Sequence, residues 1–167
     1  MKIAVVYFSK TGKTAEMARE IAAGAESAGA KAALFPLETV TPADIESCEA
    51  VVFGTPTYLA NACWQMGKWF DEAHAFKLGG KLGAAYATAD YAQGGADTAI
   101  QNLIGHMLVK GMVVYSGGAA CGQPYIHLGA VALRENFEQS RAMFRVFGER
   151  IARKAFELFS AGEDVPC

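Results

Sequence analysis

The chain has 167 residues, 52% hydrophobic and only 19% charged, with a formal net charge of −2. That composition excludes a disordered chain, and the lack of any run of about 18 apolar residues excludes a membrane-spanning helix. The near-neutral balance advertises neither nucleic acid nor an anionic membrane as a partner. A chain of this size can bury about 70% of its unfolded surface around one core. Residues 1–167 are therefore expected to form one domain that needs no disulfide or metal staple. Glycine is in excess, 18 residues or about 11% against roughly 7% on average. The cysteines Cys48, Cys63, Cys121 and Cys167 form no CxxC pair and read as free thiols in a reducing compartment. The six apolar residues Ile3 to Phe8 are too few for a signal peptide, so the cytoplasm is the expected location.

Ile3–Phe8 is an apolar run without polar alternation, which suits a parallel strand buried on both faces. Met17, Ala18, Ile21, Ala22 and Ala25 then recur at helical spacing over Lys13–Ala28, with Gly29 as the stop. Ala32–Phe35 is a weaker strand ended by Pro36, and Thr41-Pro42 reads as an N-cap with proline at the first helical position. Val51–Phe53, Leu82–Thr88 and Met112–Tyr115 are the next three strands. Helices are expected over Cys63–Phe76 and Thr98–Val109. Ser116–Arg134 reads as a long glycine-containing loop and Glu135–Phe159 as a long amphipathic helix. Five strands alternating with five helices predict a doubly wound α/β sandwich, a parallel sheet in the order 2-1-3-4-5 with helices on both faces. Ligands of such folds sit at the carboxyl ends of strands 1 and 3.

Three loops are expected at that edge. Ser9-Lys10-Thr11-Gly12-Lys13-Thr14 offers hydroxyls, a glycine and a helix N-terminus, the combination that holds a phosphate. It is not a nucleotide-triphosphatase loop: Tyr7 stands where the first glycine would be, and Val51–Gly54 lacks an acid for magnesium. Gly54–Asn61 supplies backbone polar groups and an aromatic, which suit the edge of a flat heteroaromatic ring. Thr88-Ala89-Asp90-Tyr91-Ala92-Gln93-Gly94-Gly95 adds a second aromatic and close-approach glycines. Each loop alone could be an ordinary connection. Together they fit a planar, phosphorylated aromatic ligand such as FMN.

Tyr7-Phe8-Ser9-Lys10-Thr11-Gly12-Lys13-Thr14 resembles the phosphate loop of flavodoxins. Gly54-Thr55-Pro56-Thr57, followed by Asn61, Gln65-Met66 and Phe70-Asp71, resembles the ring loop and next helix of WrbA-type NAD(P)H:quinone oxidoreductases. Gly80-Lys81-Leu82, Gly111-Met112-Val113 and Gly122-Gln123-Pro124-Tyr125 continue the likeness. The resemblance implies a flavodoxin-like fold with noncovalent FMN. Ser9 to Thr14 would hold its phosphate, Pro56, Thr57, Tyr58, Leu59, Ala60 and Asn61 would edge the ring, and Thr88 to Gly95 would close over it. It also implies NAD(P)H as reductant, a quinone or similar small acceptor, and a homo-oligomer, dimer or tetramer. The chain departs from that pattern: Tyr58 stands where an arginine is common, Lys110 where a histidine commonly precedes Gly-Met-Val, and Leu59-Ala60 where Phe-Gly is usual. Thr88-Ala89-Asp90-Tyr91-Ala92-Gln93-Gly94-Gly95 replaces the family's Ser-Thr-Gly-Thr-Gly-Gly, and the chain is shorter than typical members before strand 3 and before the last helix.

No catalytic side chain is evident, and Tyr58, Lys110 and His127 are the candidates. His74 and His106 read as surface or packing residues, and no residues show metal-ligand spacing. Cys63 opens a helix whose N-terminus could lower its pKa, although a small packing residue is the simpler reading. Phe137, Met143, Phe144, Phe147, Ile151 and Phe156 give the last helix more apolar surface than one face needs, for the sheet or for a partner subunit. Two functions remain open: an FMN-dependent NAD(P)H:quinone oxidoreductase, and a flavodoxin-type electron carrier. Carriers of that kind are usually strongly acidic, so the −2 balance favours the enzyme.

Overall fold

The computed structural model describes residues 1–160; Cys167 lies outside them. The elements run β1 (Lys2–Tyr7), α1 (Lys13–Ser27), β2 (Lys31–Pro36), α2 (Pro42–Glu46), β3 (Ala50–Tyr58) and a two-residue β4 (Asn61–Ala62). They continue with α3 (Trp64–Glu72), β5 (Leu82–Ala89), α4 (Ala96–Val109), β6 (Val113–Val114), β7 (Ala130–Leu133) and α5 (Phe137–Phe159). The parallel strands lie in the order β2-β1-β3-β5-β6. With the hairpin strand β4 set aside, this is the expected 2-1-3-4-5 winding. The chain reverses direction across the sheet between β1 and β3, which opens a crevice at their carboxyl ends.

The lack of polar alternation in the strand sequences has a direct cause. Ile3, Val5, Val52, Ala84 and Tyr86 point into a layer shared with α1 and α5, against Met17, Ile21, Phe144, Phe147 and Ile151. Their neighbours Ala4, Val6, Val51, Phe53 and Ala85 point the other way, against Met66 and Phe70 of α3 and Ile100, Leu103 and Met107 of α4. Alternate residues thus enter different cores, and both must be apolar. The surplus apolar surface of α5 is used within the chain, since Phe137, Met143 and Phe156 pack on the same core as Phe144 and Phe147.

Three segments depart most from expectation. Residues 54–58, read as a loop, continue β3, because they pair with β5 as far as Pro56 opposite Thr88 and then turn back through Asn61–Ala62. The helix expected over Cys63–Phe76, α3, stops at Glu72 and gives way to a 3-10 turn over Ala73–Ala75. The loop expected over Ser116–Arg134 contains β7. The fifth strand position is filled in two pieces, β6 beside Leu82–Gly83 and β7 beside Tyr86–Ala89, both parallel to β5. The segment between them bulges out and wraps the buried guanidinium of Arg150, whose Nη1 and Nη2 donate to the carbonyls of Gly117, Gly118, Cys121, Gly122, Gln123 and Pro124 at 3.0–3.3 Å. A cation from α5 therefore satisfies the acceptors that a sheet ladder would otherwise have taken.

Helices α1 and α5 cross at backbone contact. A methyl group at Gly24 would lie 1.9 Å from the Arg145 carbonyl oxygen, and one at Gly148 would lie 2.0 Å from that of Ile21. The crossing is flanked by ion pairs: Arg141 donates to Glu16 at 2.7 Å and Glu20 at 3.1 Å, and Arg145 to Glu20 at 2.5 Å. Burial opposes the charge on Glu20, but the two guanidinium groups outweigh it and hold the carboxyl below its ordinary 4.5. Gly148→Ala should destabilise the protein by about 3 kcal/mol, because backbone must move to admit the methyl; chemical denaturation measures it. A depressed carboxyl contributes stability above its unfolded pKa and loses it as pH falls through the lower folded value. Glu20→Gln should therefore cost about 1–2 kcal/mol at pH 7, and thermal melts should show the gap closing in acid, below about pH 4.

Candidate functional site

At the carboxyl edge, the ends of β1, β3, β5 and β7 enclose a cavity of about 340 Å³. Lys10, Thr11, Lys13 and Thr14 line it from the first loop, Pro56, Thr57 and Tyr58 from the end of β3, and Thr88, Ala89 and Asp90 from the end of β5. An outer basin of about 560 Å³ continues over the same wall, bordered by Leu59, Ala60, Tyr91 and Gly94. The structure thus brings together most of the residues singled out above, from three segments distant in sequence.

The first loop reaches α1 through Gly12, whose φ of +90° suits glycine. Ser9 does not line the cavity; its Oγ accepts from the Ala15 N–H at 3.2 Å and steadies the turn. Among the described residues, the N–H groups of Gly12, Lys13 and Thr14 have no partner within the protein. They form an anion-ready helix N-terminus with Lys10 and Lys13 alongside. Thr14 is fixed from beneath: Tyr86, fully buried, passes its ring against Gly54 and donates from its hydroxyl to the Thr14 carbonyl at 2.9 Å. Thr14 Oγ1 meets Thr88 Oγ1 at 2.9 Å. Burial holds the Tyr86 phenol well above its ordinary pKa, so it remains a donor.

One polar group on the wall is left without a partner. Thr57 Oγ1 is buried and has no hydrogen-bond partner, an arrangement that costs free energy unless a ligand supplies one. Thr55 is occupied, since its Oγ1 accepts from the Cys63 N–H at 3.0 Å. Burial drives the Tyr58 phenol up, helped by the neighbouring Cys63 and Asp90. At the rim, Leu59 and Ala60 form the tip of the β3–β4 hairpin with φ of 50° and 59°. Gly95 closes against that tip, its would-be methyl 2.5 Å from the Ala60 Cα.

Several candidate residues fall elsewhere. Gln93 and Gly95 line a separate shallow basin with Ala96, Asp97, Val131 and Leu133, because the loop turns outward at Tyr91–Gly94. Asn61 points its Oδ1 at the next backbone N–H, 2.9 Å away. Lys110 lies at the opposite edge of the sheet: it ends α4, where Gly111 accepts from Gly80 ahead of β5 at 2.8 Å. His127 is exposed on the bulge and lines neither basin. Neither residue lines the cavity. Burial pushes the Cys63 thiol up, outweighing the Thr55 hydroxyl and the backbone N–H groups that favour its thiolate. His74 is exposed, and His106 stacks on Phe70 with ring centroids 4.8 Å apart. Sequence reasoning missed Ala132, Arg134 and Phe137, which complete the cavity from β7 and the start of α5. They lie in or beside the segment read as a long glycine-containing loop, and the pairing of β7 with β5 brings them to this edge.

The doubly wound fold thus brings a helix N-terminus, flanking lysines and a flat wall together at the switch point, an arrangement whose chemistry suits a phosphorylated, planar ligand. A sequence model described as flavodoxin matches residues 5–116. A flavodoxin of Clostridium saccharobutylicum is 46% identical over 160 residues, covering 95% of this chain and all of the relative. An NAD(P)H dehydrogenase (quinone) of Azorhizobium caulinodans is 32% identical over 158 residues, covering 80% of this chain and 76% of the relative. The crystal structure of a WrbA-like flavodoxin from Agrobacterium tumefaciens superposes with a TM-score of 0.79 at 24% identity, covering 94% and 98% of the two chains. The chain belongs to the flavodoxin family. The structure also resembles a Fusobacterium nucleatum flavodoxin solved bound to flavin mononucleotide, with a TM-score of 0.71 at 18% identity, covering 94% and 98% of the two chains. The cavity fits such a group on its own evidence: an anion-ready helix terminus at one end and the orphaned Thr57 hydroxyl on the wall. Among the described residues, no helix is long and apolar enough to cross a membrane. Removing the unpaired hydroxyl with Thr57→Val should leave the ligand-free protein as stable or about 1 kcal/mol more stable, as thermal melting would show.

Proposed function

We propose that the protein binds FMN at this edge and works as an electron carrier that docks on larger redox partners. FMN, once bound, supplies the electron-transfer chemistry. The protein's part is placement. The N–H groups of Gly12 to Thr14, with Lys10, Thr11 and Lys13, receive the phosphate; Pro56, Thr57 and Tyr58 form the wall for the ring, where the Thr57 hydroxyl gains its missing partner. Lys10, Lys13 and Arg134 against Asp90 give the cavity the positive excess that a phosphate dianion calls for.

The observation that carries the carrier reading is the rim. Leu59 is 101% exposed and Tyr91 70% exposed beside the outer basin. Leu59 is held there on a hairpin tip in the left-handed region, where non-glycine residues are strained by about 1–2 kcal/mol each. Strain that keeps an apolar tip in water is useful when a partner covers the tip. The full-length match to a flavodoxin supports the same reading.

A second reading, NAD(P)H-dependent reduction of a quinone or similar acceptor, is favoured by the outer basin, which has room for a flat second substrate over the same wall. The quinone dehydrogenase relatives support it too. The two readings separate in one experiment on FMN-loaded protein mixed anaerobically with NADH or NADPH. The carrier predicts no flavin bleaching within minutes by either nucleotide, and two separate one-electron steps in a dithionite titration. Bleaching within seconds, with reoxidation by added quinone, would overturn the carrier in favour of the enzyme. The double variant Thr11→Ala, Thr14→Ala should bind FMN about tenfold or more weakly; an unchanged affinity by fluorescence titration would put the phosphate elsewhere.

A further inference from the structure

We propose that Asp90 and Arg134 form a clasp across the mouth of the cavity that slows the escape of bound FMN; the inference rests on the FMN reading above. Arg134 grips both carboxylate oxygens of Asp90, with Nε donating to Oδ1 at 3.0 Å and Nη2 to Oδ2 at 2.7 Å. The two residues stand 44 positions apart and enter from different elements, Asp90 just after β5 and Arg134 just after β7. Both line the inner cavity, and Asp90 also borders the outer basin. The pair therefore stands where the inner cavity opens outward.

The two jaws are unequally anchored. Beyond Arg134, the ring of Phe137 lies between Lys13 Nζ at 5.8 Å and the Arg141 guanidinium at 5.6 Å. Arg141 is in turn tied to Glu16 and Glu20 of α1, so this jaw rides on the rigid crossing of α1 and α5. The Asp90 jaw leads into an exposed turn closed by one backbone bond, Gly94 N–H to the Tyr91 carbonyl at 3.0 Å. The part free to swing is the loop after β5. Lys13 Nζ, 3.9 Å from Asp90 Oδ1, extends the ion pair to the phosphate loop. Since both partners are substantially exposed, salt must weaken the clasp.

The clasp makes a prediction opposite in sign to simple charge counting. Asp90→Asn removes a negative charge from beside a phosphate dianion, which by Coulomb's law alone should slow FMN release. If Asp90 is a jaw, release becomes faster instead, by about two- to fivefold at low salt, the range an exposed ion pair supports. Arg134→Gln should give a similar increase, and the double variant should release no faster than the faster single. In 1 M salt the wild-type rate should approach those of the variants. Release is followed as the return of free-flavin fluorescence after dilution of FMN-loaded protein. Wild-type protein that holds FMN, with Asp90→Asn releasing it at an unchanged or slower rate, overturns the clasp alone. Independent, multiplicative effects of the two substitutions overturn it as well. Wild-type protein that leaves FMN fluorescence unaltered overturns the clasp together with the FMN reading.

Discussion

The hydroxyl of Tyr86 ties the functional edge to the core. Its ring fills the space that a side chain at Gly54 would need, and its proton goes to the carbonyl of Thr14. One buried phenol thereby links β5 and β3 to the first turn of α1. A buried phenol without an acceptor would cost about 1–3 kcal/mol, so the position of α1 along its axis is set by the need to keep that bond. The orientation of the first-turn N–H groups follows, and with it the place where an anion can sit. Phe144 meets the same ring edge-on, with centroids 5.6 Å apart, so α5 is referenced to the same point.

Around that point the molecule separates rigid from yielding parts. The glycine contacts at Gly24 and Gly148 and the Arg141–Glu16–Glu20 ion pairs lock α1 to α5. The strand ends β3 and β5 continue in register to Pro56 and Thr88, so the flat wall belongs to the sheet and not to a loop. Beyond these, the hairpin tip at Leu59–Ala60 and the turn after Asp90 stand exposed at the rim of the outer basin. Rigid anchoring of the phosphate end with a compliant outer rim suits a cofactor that must stay bound while a partner approaches.

Much of the fold was legible because each strand feeds two cores. Ile3–Phe8 and Val51–Phe53 carry no polar residue that would allow a solvent face, and the helices between them show single apolar faces. The first two loops of the site were legible for a similar reason, since Gly12 and Gly54 mark where the backbone must turn or admit another group. The split fifth strand was not. Its second half, Ala130–Leu133, is four residues long, and its partner is set by a loop held on the carbonyl-binding cation Arg150, a contact with no local sequence signal. Arg134 and Phe137 were missed with it. Lys110 was placed at the site by analogy of a short motif, and the chain's geometry puts that motif at the amino edge of the sheet instead. The charge balance, which favoured an enzyme, averages over the whole surface and says little of the few cations gathered at one edge.

The central claim is that a helix N-terminus and its lysines, held in place from beneath by Tyr86, select a phosphorylated flavin. Comparing the affinities of the ligand-free protein for FMN and for riboflavin tests it most directly, because the two ligands share the ring and the ribityl chain and differ only in the phosphate. Two or more charge-assisted hydrogen bonds to that phosphate predict that FMN binds at least about 100-fold more tightly at low salt. Equal affinities would contradict the account.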